Sequence, residues 1–264
     1  MRRREFITLL GGAAAVLPLA ARGQEQTPHI VFGPPLGVAQ DFRVSYRYRE
    51  RPSTSAGAVG DRFIVDNRLT VTPITRERDG YRLRLLVSEV ERPSDRREEM
   101  NMVVAAALML EGLSFEMLVD ARGFLKEVAG WAALQRTLRK RADTVLGVYS
   151  SVGYSIISND EKQVGWHLAR AIEAMNFARS YLNLTERTGA STISWYGTPI
   201  NVTVEPANAE GAIAISWVAP SSDGHALFRP DGFTSQLSRS TVPAGGPSPA
   251  REIISVGALT VKVK

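Results

Sequence analysis

The sequence predicts an α+β domain built on a mostly antiparallel sheet, with two or three helices inserted mid-chain and packed on one face. Three observations carry this prediction. Period-two alternation of apolar and polar residues dominates both the early and the late parts of the chain, as half-buried strands require. Helical periodicity is confined to the middle. Turn-forming stretches join neighbouring β-rich runs directly, the pattern of hairpins rather than of parallel crossovers.

The first 23 residues, MRRREFITLLGGAAAVLPLAARG, stand apart from that domain. Arg2, Arg3 and Arg4 form a charged head, Ile7 to Ala21 is uncharged, and Ala21-Arg22-Gly23 ends the segment just before Gln24. A charged head, an apolar middle and small residues at the end make a secretory leader, cut between Gly23 and Gln24. The apolar part runs about 15 residues and holds Gly11, Gly12 and Pro18, against the roughly 20 apolar residues a bilayer span needs. No permanent membrane anchor is therefore expected. Arg3-Arg4-Glu5-Phe6-Ile7 resembles the twin-arginine export signal, with Arg3, Arg4 and Phe6 at its pattern positions. That resemblance implies passage through the twin-arginine translocase, removal of the leader by signal peptidase, and a periplasmic or secreted location. It also implies a passenger that folds before export.

Residues 24–40, with Pro28, Pro34 and Pro35, read as an irregular lead-in, and 41–264 as a single domain. Within it, Phe42, Val44, Tyr46 and Tyr48 alternate with Arg43, Ser45, Arg47 and Arg49, so the first strand has an apolar and a basic face. A solvated sheet face accounts for the arginine row better than an anion site does. After a loop from Arg51 to Gly60 come β-rich runs at Arg62–Val65, Leu69–Arg76 and Tyr81–Glu91, with Asp79-Gly80 predicting a type I′ hairpin turn between the last two. Met102 to Leu110 is rich in alanine and methionine and leans helical. Leu113–Val119 and Phe124–Val128 form a second hairpin around Asp120-Ala121-Arg122-Gly123.

Trp131, Leu134, Leu138, Ala142 and Val145 recur at helical spacing with Gln135, Arg136, Arg139, Lys140 and Arg141 opposite, predicting an amphipathic helix to about Leu146. A further helix begins near Ser158, which with Glu161 can form a capping box, and carries Val164, Leu168, Ala171, Ile172, Met175 and Leu182 as its apolar stripe. Strands return at Ser191–Tyr196, Ile200–Glu205, Ala212–Val218, His225–Arg229 and Ile253–Val263. The Ser-, Pro- and Gly-rich stretch from Asp231 to Pro249 reads as an exposed loop.

Composition narrows the chemistry. The 264 residues carry a formal net charge of +5, which falls to +2 once the four arginines and one glutamate of residues 1–23 are removed. Such a balance, without clustered basic residues, gives no ground for nucleic-acid binding. The absence of cysteine excludes disulfides, thiolate metal sites and a cysteine nucleophile. His29, His167 and His225 have no partners at metal-ligand spacing, so neither a metal nor another cofactor is expected. Ser221, Ser222, Asp223 and His225 lie together in SSDGHALFRPDG, but triads assemble from distant segments and ordinary turn chemistry explains the run. Glu89, Glu91, Asp120 and Glu205 are unpaired by any pattern, and no phosphate-cradling loop follows a strand. Catalytic residues remain unassigned.

The aromatic residues offer more. Trp131, Trp166, Phe177, Trp195 and Trp217 lie on the helices and the later strands, where they can either line an apolar cavity or pack as core. The β–helix–β order faintly resembles that of the periplasmic lipoprotein carriers. Their half-barrel, a curved antiparallel sheet with helices on its concave side, holds acyl chains, and the likeness is one of element order without a shared motif. The hairpin LSFEMLVDARGFLKEVAG is similar to those of uncharacterised exported bacterial β-proteins, a resemblance that implies no activity. The two lobes of solute-binding proteins, with their repeated βαβ units, do not match this order. The leading functional expectation is a non-enzymatic exported binder of a hydrophobic small molecule or an envelope component. A cell-wall or sugar hydrolase, and a structural or protein-interaction module, are the alternatives.

Overall fold

A computed structural model of the chain describes residues 31–49, 61–91, 102–158, 178–185, 187–241 and 251–259. Among the described residues, one open antiparallel sheet of eleven strands dominates, accompanied by three α-helices and a helical segment at 178–183. The strands are β1 (Gln40–Arg49), β2 (Asp61–Glu77), β3 (Gly80–Glu91), β4 (Ser114–Asp120), β5 (Leu125–Ala129), β6 (Gly189–Trp195), β7 (Thr198–Val204), β8 (Ile213–Ala219), β9 (Ser222–Phe228), β10 (Thr234–Thr241) and β11 (Arg251–Ala258). Helix α1 (Met102–Leu110) lies between β3 and β4, while α2 (Trp131–Arg141) and α3 (Ser150–Ser158) lie between β5 and β6.

The spatial order is β5-β4-β3-β2-β1-β11-β10-β9-β8-β7-β6. Two meanders thus stand back to back, and the first and last strands pair in the middle of the sheet, with Phe42 opposite Ala258 and Tyr46 opposite Ile254. The outermost strands, β5 and β6, are consecutive in the chain. The sheet does not lie flat between them: the Arg179 guanidinium by itself joins the β4–β5 turn to the β9–β10 turn, donating to the Arg122 and Gly232 carbonyls, although five strand spacings separate β4 from β10. The β5–β6 connection carries α2 and α3, whereas α1 lies between the paired strands β3 and β4.

Alternation decides which face is buried. Phe42, Val44 and Tyr46 of β1, Leu83, Leu85 and Val87 of β3, Phe115, Met117 and Val119 of β4, and Ile200, Val202 and Val204 of β7 belong to one continuous core. Val104, Met109 and Leu110 of α1, Leu138 of α2 and Ile156 and Ile157 of α3 join the same core. The opposite face of β1 to β4 is an ion-pair ladder. Arg43 reaches Asp66 at 3.2 Å and Glu91 at 3.1 Å, Arg68 reaches Asp41 at 2.6 Å and Glu89 at 3.0 Å, and Arg82 and Arg84 share Glu116. The arginine face read from β1 is accordingly a charge-paired outer surface at Arg43.

Several expectations are corrected. The runs at Arg62–Val65 and Leu69–Arg76 are one strand, β2, whose register shifts at Asp66/Arg68 and Pro73/Thr75 absorb the break in alternation. The hairpin before β3 turns through Arg78 and Asp79, neither at positive φ, so it is not type I′. Gly80 begins the strand instead, where a Cβ would lie 1.8 Å from the Val119 carbonyl oxygen of β4. The helix starting at Trp131 leaves α-geometry at Ala142. A wide π turn (Ala142–Leu146) and a 3₁₀ turn (Gly147–Tyr149) lead into α3, which the sequence reading passed over. Gly153 lets α3 approach closely, since a Cβ there would lie within 3.0 Å of Leu146, Ala142 and Met109. The supposed loop from Asp231 contains β10, next to the centre of the sheet. The described part of the lead-in, residues 31–39, is irregular but anchored, and β1 takes in Gln40: Phe32 is buried and the Gly33 N–H donates to the Asp231 carbonyl at 3.0 Å. Most of the helix expected from Ser158 lies outside the described residues, although residues 178–183 are helical and bury Leu182.

Candidate functional site

The apolar face of the sheet is the natural place for a site, and its aromatic residues fall into two groups. On the β6–β9 side, Trp217 of β8 is almost completely buried. Its indole N–H donates to the Ser222 hydroxyl at 3.4 Å and its ring covers Gly224 of β9, where a Cβ would approach it to 2.5 Å. Tyr181 from the helical segment 178–183 stands between Trp217 and the partly buried Trp195 of β6, with ring centroids 5.5 and 5.7 Å away. Alternation puts Trp217 on the core face of β8, and Trp195 sits on an edge strand. The second group, Phe32, Tyr81, Phe233 and Phe42, is held by centroid contacts of 5.3 to 6.2 Å near the lead-in.

Of the five aromatic candidates, then, Trp195 and Trp217 come together around Tyr181. Trp131 begins α2 and packs against the core away from them, and Trp166 and Phe177 lie outside the described residues. Tyr181 is not among the site residues expected from the sequence. Its position one helical turn from Phe177 was the signal available.

Arg179, two residues before Tyr181, is a buried cation that sequence reasoning missed. It donates to the Arg122 carbonyl at 3.0 Å and to the Gly232 carbonyl, and its guanidinium lies 4.8 Å from the Phe32 ring centroid. Burial pushes its pKa down to about 10. It ties the 178–183 segment to the β4–β5 turn and to the β9–β10 turn. Gly123 and Gly232 fit this clamp: both have positive φ, and a Cβ on Gly123 would sit 2.0 Å from the Arg179 guanidinium.

No protein-family model matches the chain, and no curated protein matches it.

Open clefts occur among the described residues near the ends of the sheet. One of about 550 Å³ lies between Arg82 and Glu116 of the outer face and Ala133, Leu134 and Thr137 of α2. A second, about 500 Å³ and mostly polar, lies between Arg187 and residues 191–194 of β6. Among the described residues no group of three His, Asp or Glu side chains is placed to hold a metal. The Ser/Asp/His run is spread across β9 by its own alternation: Ser222 is buried beneath Trp217, whereas Asp223 and His225 lie on the opposite face. Three of the carboxylates considered as acids or bases are engaged structurally. Glu89 and Glu91 pair with Arg68 and Arg43, and Asp120 accepts the N–H groups of Arg122 and Phe124, both at 2.9 Å, closing the β4–β5 turn. Glu205 is exposed just after β7.

Proposed function

We propose that the chain is exported by the twin-arginine route and acts in the periplasm, or as a secreted protein, as a non-enzymatic binder of a hydrophobic molecule. In this reading the sheet is curved as a half-barrel and the helices cover its apolar face. The observation that carries it is topological. The connection between β5 and β6, the two end strands of the sheet, carries α2 and α3, and Leu138, Ile156 and Ile157 of these helices join the core formed by the sheet's apolar residues. Helices laid over an apolar sheet can part around a ligand without breaking strand pairing, which matches the faint likeness to lipoprotein carriers. Tyr181 between Trp195 and Trp217 supplies an aromatic wall at one end of that face.

Mass spectrometry of small molecules extracted from the purified exported protein tests this. A lipid or other apolar molecule is expected, with its recovery reduced in the Trp195→Ala/Tyr181→Ala protein; a chain that co-purifies with nothing apolar and binds no fluorescent fatty acid refutes the reading. Export is tested separately. Replacing Arg3 and Arg4 by lysine should leave the chain in the cytoplasm, and continued export of that variant would remove the twin-arginine assignment.

The open edges of β5 and β6 support a second reading, a protein-interaction module that pairs a partner's strand. It predicts recovery of a protein rather than of a lipid.

A further inference from the structure

The helical excursion carries a surface that is exposed among the described residues. Leu138, Ala142 and Leu146 turn into the core, so the opposite side of α2 and the turns that follow it faces solvent. Arg136, Arg139 and Lys140 on that side are exposed. Where α-geometry ends, the chain presents Val145, 42% exposed, and Val148, 90% exposed. A single exposed valine needs no explanation. Here two of them stand at the end of a basic helix face, at a π turn and a 3₁₀ turn, and such irregularities cluster at functional positions. From Trp131 to Tyr149 the only acid is Asp143. Its carboxylate is taken up by the Tyr154 hydroxyl, 2.8 Å from both oxygens.

We propose that this surface docks on an anionic bilayer, with Arg136, Arg139 and Lys140 against lipid phosphates and Val145 and Val148 entering the headgroup region. Charge complementarity favours that occupant: a cationic row beside a small protruding apolar tip suits a negatively charged interface and not a hydrocarbon span. Docking leaves the sheet and its apolar face untouched, so the surface is independent of what the protein carries. Vesicle binding can therefore fail while ligand recovery persists, and the reverse.

Because the chain has no cysteine, Val148→Cys accepts a single environment-sensitive fluorophore. The labelled full-length chain is titrated with vesicles of phosphatidylcholine containing phosphatidylglycerol, and with phosphatidylcholine alone. The expected result is a blue-shifted, brighter emission with the anionic vesicles only, weakened by added salt. Combining the label with Arg136→Gln, Arg139→Gln and Lys140→Gln should reduce apparent affinity about 100-fold, roughly fivefold per cation. Emission that stays unchanged overturns the proposal, since membrane attachment elsewhere in the chain would leave this tip in water. An equal response to uncharged vesicles, or an unaffected triple variant, overturns it as well.

Discussion

Asp41 and Arg179 illustrate two ways a charge is held in this molecule. On the outer face, the hydrogen bond from Arg68 keeps the Asp41 carboxyl below its ordinary pKa, with Thr70 donating to it as well at 2.6 Å. A depressed folded-state pKa means the folded chain binds that proton less readily than the unfolded one. The stabilisation is complete at neutral pH and is lost as pH falls below about 4, through the folded-state value. Asp41→Asn should therefore lower stability at pH 7 by about 0.5–1 kcal/mol, with the difference shrinking progressively as the pH is taken below about 4, as read from urea midpoints along that pH series. Arg179 is held inside the protein, where backbone carbonyls and the Phe32 ring replace water around its guanidinium. Neither role can be seen in the local sequence. In the sequence Asp41 is a lone acid just before the first strand and Arg179 one more polar residue of an expected helix, because the groups that define them arrive from other strands and turns.

Elements were legible in proportion to how completely their own residues declare a period. Helix α1 begins and ends where its alanine- and methionine-rich run does, and the β4–β5 turn is built by Asp120 and Gly123 as the motif implies. Strand β10 lies at the other extreme. Thr-Ser-Gln-Leu-Ser-Arg-Ser-Thr holds a single apolar residue, Leu237, and looks like loop; pairing with β9 and β11 makes it a strand and buries Leu237 at the core. Leu237→Ser should accordingly cost about 2–4 kcal/mol, the range for large buried side chains reduced to small ones, whereas a loop position would cost under about 0.5 kcal/mol. Chemical denaturation of the two proteins separates these outcomes. The bend after α2 was missed for a related reason. Ala142 and Leu146 read as the last turn of one helix until α1 is placed against them, and the close approach at Gly153 then favours a turn into α3.

At the scale of the whole molecule, β11 is the seam between two meanders. It pairs with β1 on one side and β10 on the other, so the sheet is continuous only through the chain's last strand. Truncation after residue 250 should abolish the single cooperative unfolding transition and expose the apolar edges of β1 and β10. A truncated chain that still unfolds in one transition with the parent's midpoint would contradict this. The sequence by itself determined the strand-rich class, the antiparallel hairpins, the mid-chain placement of helices and the lack of cysteine chemistry, since each follows from composition or from neighbours within a few residues. Only the tertiary structure decided that β1 and β11 meet, that β10 exists, that Arg179 is buried and that Tyr181 joins Trp195 to Trp217. A half-buried strand has the same period-two pattern whichever partner it takes. Pairing partners are therefore set by the burial of the entire apolar face at once, and that information is spread over the full length of the chain.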